Sequence, residues 1–361
     1  MKIHSGYIVL ADISGFHPYL AEVELEHADD VLADLLGLVI KEFSILLKVA
    51  QTRGDAVLAH QSDEILKRGE TLLELVEATY VAFQKRLEEI RRDTTCDCRA
   101  CRDIKQLDLK FFLHHGRYTS EDGDSGATVI GLPLGGLDAH LIQERILKDQ
   151  VDPQLKAYAI FTQACLDQLG FEPDAVYRNS GEYPSFGRID TACVDLKAQI
   201  KQRLSTHHAY IGAQEADQTI EIALNAEPPV IWDWLNDADK RAAWQAGTNW
   251  TMGRGKTGRT LPGTENHCAH NSSAIRERVT GWQPFSFFTV KQSVSGEKRT
   301  MAKTFELKDN EDGTTLLTLH MTFSDGEAQL PAALLDANKK GMEKALEKLQ
   351  ALTNANPVFL D

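Results

Sequence analysis

A chain of 361 residues, 42% hydrophobic and 25% charged, suits two ordinary domains, each with its own core. Its net charge of −14 excludes a large phosphate-tracking nucleic-acid surface, yet leaves room for one bound nucleotide neutralised by a metal ion or a few lysines. No apolar run approaches the roughly 20 residues of a membrane span. The first residues pass straight into a short apolar stretch ending at Asp12, unlike a secretory leader. Three of the six cysteines cluster (Cys96, Cys98, Cys101) and three are scattered (Cys165, Cys193, Cys268), which is no disulfide framework. A reduced, cytoplasmic protein is expected.

In chain order, residues 7–13 (YIVLADI) read as a buried strand ending in an acid. Val31, Leu32, Leu35, Leu38, Val39 and Phe43 recur at helical spacing over 27–47. Short strands are predicted at 47–52 and 55–60, with Gly54-Asp55 as the turn between them. Residues 68–92 form a long amphipathic helix ending in Arg91 and Arg92, which suit a helix C-terminus. A strand over 107–114 is broken by Gly116; a glycine-rich stretch at 123–136 leads to a helix at 138–149, and strands follow at 157–161 and 187–195. The expected fold of this half is an α+β sandwich, with helices against a mostly antiparallel sheet.

Residues 196–212 are polar, and the connector is set at 201–212, between domains at 1–200 and 213–361. The second half opens with an alternating strand at 218–224 and two short helices over 227–246. Strands are predicted at 248–254, 264–270, 274–281, 285–294, 300–308 and 314–323, then one long helix at 330–352. Such a curved antiparallel sheet wrapped on a terminal helix encloses a cavity.

Asp12 ends one strand and Asp55 sits at a hairpin turn. If the strands are neighbours, both carboxylates point at one spot, which is costly unless a cation lies between them. Mg²⁺ prefers oxygen ligands of this kind, with phosphates completing its shell. Taken one at a time, Asp12 also reads as a helix N-cap or turn acid, and Asp55 as a Gly-Asp turn residue. Together, residues 11–16 (ADISGF), 52–59 (TRGDAVLA) and 112–116 (FLHHG) resemble the class III adenylyl/guanylyl cyclase domain over about residues 5–195. The resemblance implies that Asp12, Asp55 and the Ile13 carbonyl hold Mg²⁺ or Mn²⁺. It implies in-line attack of a ribose 3′-hydroxyl on the α-phosphate of a nucleoside triphosphate, with release of pyrophosphate, at a site shared across a homodimer.

Departures from the family pattern are specific. The family's purine-reading lysine falls at Gln51. If Arg145 matches the arginine that stabilises the transition-state phosphate, the partnering asparagine position is Leu141; in a second register the two positions are Gly135 and Ala139. Loss of preorganised charge there lowers turnover by orders of magnitude.

Cys96, Cys98 and Cys101 are spaced to reach one Zn²⁺, which takes four ligands. The fourth is open between His114, His115, a water and a cysteine of a partner chain; the alternative is three reduced loop thiols. In the second half, residues 262–270 (PGTENHCAH), 281–288 (GWQPFSFF) and the terminal helix resemble the START-like and polyketide-cyclase-like (SRPBCC, helix-grip) proteins over about 213–355. That resemblance implies a small apolar ligand in a deep cavity. Strand alternation separates His267 from Cys268 and His270, which argues against a metal trio. Trp282, Phe285 and Phe287 are expected in the core or the cavity wall.

The expected protein joins a ferredoxin-like, cyclase-type sandwich to a helix-grip domain. Its expected function is a nucleotidyl-cyclase-like enzyme or pseudo-enzyme regulated by a small apolar ligand; the alternative is an inactive dimeric sensor of nucleotide or lipid.

Overall fold

In the computed structural model the chain forms two compact units, Met1–Ser205 and Thr206–Asp361. The structure describes residues 2–16, 19–20, 25–93, 104–122, 128–131, 155–183, 187–204, 206, 208–245, 248–270, 273–295, 299–324 and 331–356. None of the described helices is long and apolar enough to cross a membrane.

The first unit is built on β1 (Lys2–Ser14), whose residues Tyr7 to Ala11 are all buried. A continuous apolar run of this kind belongs in the middle of a sheet covered on both faces. β1 pairs antiparallel with β3 (Ala56–Ser62) on one side and β4 (Asp108–Asp122) on the other. β2 (Lys48–Arg53) flanks β3, and β5 (Thr128–Gly131) pairs with β4. Beyond β4 lie β6 (Tyr158–Thr162), β8 (Gly187–Asp195) and β7 (Tyr177–Tyr183), giving the order β2-β3-β1-β4-β6-β8-β7. The β4–β6 pair is parallel and the other pairs are antiparallel.

Helix α1 (Leu25–Ser44) buries Val31, Leu35, Val39 and Phe43, four residues apart, and packs on β2 and β3. α2 (Gly69–Asp93) lies against α1 and β4. The Phe43 and Phe111 rings, 6.3 Å apart, mark the helix-covered face as that of Tyr7, Val9, Phe111 and their alternates. The opposite face carries Ile8, Leu10, Phe112, Tyr118, Tyr158 and Ile160 as its core, and Asp12 lies on that face.

Three local expectations are corrected. β4 runs through Gly116, because Gly116 pairs with Gly6 and the ladder there needs no side chain on either strand. Three elements were absent from the sequence pattern: β5, which lies within the stretch read as glycine-rich, β7, and the short α3 (Gln163–Leu169), which is capped by the Thr162 hydroxyl and by Gly170 in the left-handed conformation. The polar stretch from 196 begins as a helix, α4 (Leu196–Leu204). The expected helix at 138–149 lies outside the described residues.

In the second unit, β9 (Gln218–Leu224) is followed by α5 (Pro228–Asn236) and α6 (Ala238–Trp244). Prolines open α5, where a missing N–H costs nothing, and all nine of its residues are buried. Next come β10 (Asn249–Thr251), β11 (Glu265–His270), β12 (Ser273–Gln283), β13 (Phe287–Val294), β14 (Thr300–Asp309) and β15 (Thr315–Ser324). They form one antiparallel sheet in the order β10-β11-β12-β13-β14-β15-β9. The long α7 (Ala332–Ala355) packs on β9 and α6. Both units are α+β, as expected.

Gly6 marks the tightest point of the first sheet: a Cβ there would stand 2.1 Å from the Gln61 carbonyl oxygen. Gly6→Val is expected to destabilise the first unit by about 1–3 kcal/mol. Gly37→Ala, in an open position on α1, is expected to stabilise it by up to about 1 kcal/mol. Denaturant titration of both variants checks the pair.

Candidate functional site

Asp12 pairs directly with Ala56 on β3 and with Lys110 on β4. Paired residues share a face, so the Lys110 side chain runs alongside that of Asp12. Lys110 Nζ lies 3.3 Å from Asp12 Oδ1, with the two side chains 19% and 17% exposed. One residue on, the Ile13 N–H donates to the Asp55 carbonyl at 3.0 Å and fastens the β2–β3 turn to the end of β1. Gly54, at φ +58°, supplies the left-handed residue of that turn.

A bulge between Val49 and Gln51 then resets β2, so that Gln51 pairs with Leu58 and Arg53 with Ala56. Gln51 and Arg53 therefore take the same face as Asp12. One row across the sheet reads Arg53, Ala56, Asp12, Lys110. Tyr158 comes next, set beside Lys110 by the parallel β4–β6 register. Burial, and then the nearby Asp12 carboxylate, hold the Tyr158 hydroxyl protonated far above its ordinary range.

Asp12, Ile13, Asp55 and Gln51 thus lie at one end of one sheet. Two carboxylates and a backbone carbonyl fit the hard-oxygen donor set of Mg²⁺ or Mn²⁺. The sequence reading missed Lys110. Its ammonium offsets the charge of Asp12, so a cation is less strongly demanded than by two bare carboxylates. Lysine at the third residue of the segment 108–113 (DLKFFL) was the available signal: it sits in the phase of the strand that also carries buried Phe112.

Arg145, Leu141, Gly135 and Ala139 lie outside the described residues, as do Cys96, Cys98 and Cys101. Both histidines weighed as a fourth zinc ligand have protein partners. His114 Nδ1 is 2.9 Å from the Thr162 hydroxyl, and His115 Nε2 is 3.0 Å from Asp63 Oδ2. Burial, and then His115, push the His114 pKa down to about 4, so its ring is neutral at pH 7. Among the described residues no three His, Cys, Asp or Glu side chains gather as a metal group. His267 is exposed and Cys268 buried, on opposite faces of β11.

The second unit holds a cavity of about 700 Å³, lined by Trp250, Ile275, Met301, Met321 and Met342 with Gln292 and Lys303. Its residues come from β10, from β12 to β15, from α7, and from Gln245 and Thr248 between α6 and β10. Trp282 is not among them; it packs instead with Trp232 at 4.7 Å and Phe288 at 5.7 Å. Behind the cavity wall, Arg241 of α6 pairs with Glu277 of β12 at 2.8 Å, both essentially fully buried. The Arg241 guanidinium stacks 3.8 Å over the Trp250 ring. Gln292 donates a long 3.5 Å hydrogen bond to Glu277.

Residues 213–353 match the family described as polyketide cyclase/dehydrase and lipid transport, and residues 32–154 match a family described as a protein of unknown function (DUF2652). A curated relative, the uncharacterized protein Rv2561/Rv2562 of Mycobacterium tuberculosis, is 25% identical over 142 residues, which is 38% of this chain. The chain spans 62% of that relative's length. Among solved structures, the guanylyl cyclase Cya2 is similar with a TM-score of 0.41 and 14% identity, over 54% of this chain and 92% of that one. A START superfamily protein from Mycobacterium smegmatis is similar with a TM-score of 0.33 and 11% identity, over 37% of this chain and 94% of that one. The first unit resembles a nucleotidyl cyclase domain in its motifs, and the second resembles the polyketide-cyclase and lipid-transport proteins.

Burial pushes the Lys303 ammonium down to about 8, with Glu277 opposing and Arg241 reinforcing the shift; Lys344 and Lys348 line the same cavity from α7. From the folded pKa of about 8 to the ordinary 10.5, the unfolded chain binds more protons than the folded one. Stability of the second unit is therefore expected to rise with pH across that window, and to be lowest below it, where the buried group is charged. Denaturation midpoints for the wild type against Lys303→Met should show a rise in the wild type that the variant lacks; parallel curves contradict the assignment.

Proposed function

We propose that the protein is a nucleotidyl-cyclase-type protein whose second unit binds a small apolar molecule. The carrying observation is the Ile13–Asp55 backbone bond, which sets Asp12, the Ile13 carbonyl and Asp55 at one end of the sheet. In this proposal a nucleoside triphosphate lies along the Asp12 face, with Gln51 beside the base and Arg53 and Lys110 beside the phosphates. Mg²⁺ or Mn²⁺, when bound by Asp12 and Asp55, would neutralise triphosphate charge and lower the barrier to forming a cyclic nucleotide with release of pyrophosphate. Arg145 is the proposed phosphate contact and two chains the proposed assembly. A cluster of Cys96, Cys98 and Cys101 is a proposed structural Zn²⁺ site, to be checked by metal analysis of the wild type against Cys98→Ser.

A second proposal, binding without turnover, is favoured by two observations. Gln51 stands where the family reads the purine with lysine, and Lys110 already pairs with Asp12. A lysine that must release its carboxylate before a cation enters weakens metal binding.

Incubation with ATP or GTP and Mn²⁺ is expected to yield cyclic nucleotide that is lost in the Asp12→Ala/Asp55→Ala double variant. Triphosphate binding by calorimetry without product supports the second proposal. Product that survives the double variant, or neither binding nor product, rejects the site.

A further inference from the structure

We infer that the cavity of the second unit takes an amphiphile ending in a single carboxylate, which pairs with Lys303; the inference rests on that cavity being a ligand site. Lys303 lines the cavity and is 4% exposed. Among the described residues it makes no hydrogen bond or ion pair. Lys240, the other buried lysine among the described residues, differs in having a partner, Asp233, at 2.8 Å. A buried ammonium without a counter-charge is costly, and a lysine kept in such a place asks for an anion.

No described residue supplies that anion in full. Glu277, the nearby acid, is committed to Arg241 at 2.8 Å. Arg241, Glu277 and Lys303 together leave one net positive charge in a buried position. Glu277 Oε2 makes no hydrogen bond, to Lys303 or to any other group, and Arg241 Nε and Nη1 are likewise unpartnered; the one nearby carboxylate is thus shared between two cations. One negative charge balances this buried group; Lys344 and Lys348 of the same cavity are exposed, where solvent and salt screen them.

Position and surroundings specify the rest of the molecule. Lys303 occupies the inward phase of β14, between Met301 and Phe305, so its placement follows from the strand register rather than from a surface loop. Met301, Met321 and Met342, with Ile275, offer an adaptable apolar wall suited to a tail. A volume of about 700 Å³ is in the usual range for small-molecule sites. Lys344 and Lys348, exposed on α7, also line the cavity and bias its approach toward anions.

Calorimetry on the full-length chain with dodecanoate, 1-dodecanol and dodecyl phosphate tests this. Dodecanoate is expected to bind more tightly than the alcohol by roughly 10- to 100-fold, the scale of one charge-assisted hydrogen bond. Dodecyl phosphate is expected to bind no more tightly than dodecanoate. Lys303→Met, and independently Lys303→Gln, should erase the acid's advantage while the alcohol still binds. Equal affinity for acid and alcohol, an advantage that survives both variants, or a preference for the phosphate overturns the inference and leaves the cavity as an apolar site. Failure of every probe to bind overturns the ligand site itself.

Discussion

A single backbone hydrogen bond, Ile13 N–H to the Asp55 carbonyl at 3.0 Å, ties the β2–β3 turn to the end of β1 and fixes the geometry on which the proposed site of the first unit depends. It extends the β1–β3 ladder one step past Asp12 and Ala56, into the turn. Without it the β2–β3 hairpin is tied to β1 only along its strands, and Asp55 is held near Asp12 only through its neighbour Ala56. With it, two acids that lie far apart in the chain are held at one strand end. The buried central position of β1, paired on both sides, gives that end its rigidity, and a site built on paired strands is better defined than one on loops.

Both units place charge where the strand pattern calls for apolar side chains. In the first, Lys110 shares a phase with Phe112 and meets Asp12. In the second, Glu277 follows Ile275 and precedes Val279, and Lys303 lies between Met301 and Phe305. Each such charge carries a desolvation cost that only a partner offsets. Asp12 and Lys110 partner one another, as do Arg241 and Glu277. Among the described residues Lys303 makes no ion pair, and that is the ground for proposing an acidic end on the cavity's ligand.

The second unit was legible almost element by element, because its strands alternate and its two short helices and long terminal helix are strongly patterned. In the first unit, β1, β2, β3 and α2 were equally clear. β7 (YRNSGEY) was not, since it is a polar edge strand whose residues alternate only between half-buried and exposed. Gly116 read as a break because the pairing glycine, Gly6, lies on a strand remote in sequence. The placing of Asp12 and Asp55 at the ends of neighbouring strands was legible from the motif order. The partners of the charges were not: Lys110, and the Arg241–Glu277–Lys303 group, join residues on separate elements, and pairing of that kind is fixed by register. A charge standing in the apolar phase of a strand was the one signal that could have found them.

The central claim is that Asp12 and Asp55 form one cation site. Electron paramagnetic titration of Mn²⁺ into the full-length chain, with a non-cleavable triphosphate analogue present, tests it most directly. Bound Mn²⁺ in the wild type that disappears in the Asp12→Ala/Asp55→Ala variant is the predicted result. Unchanged binding in the variant, or no binding in the wild type, contradicts it.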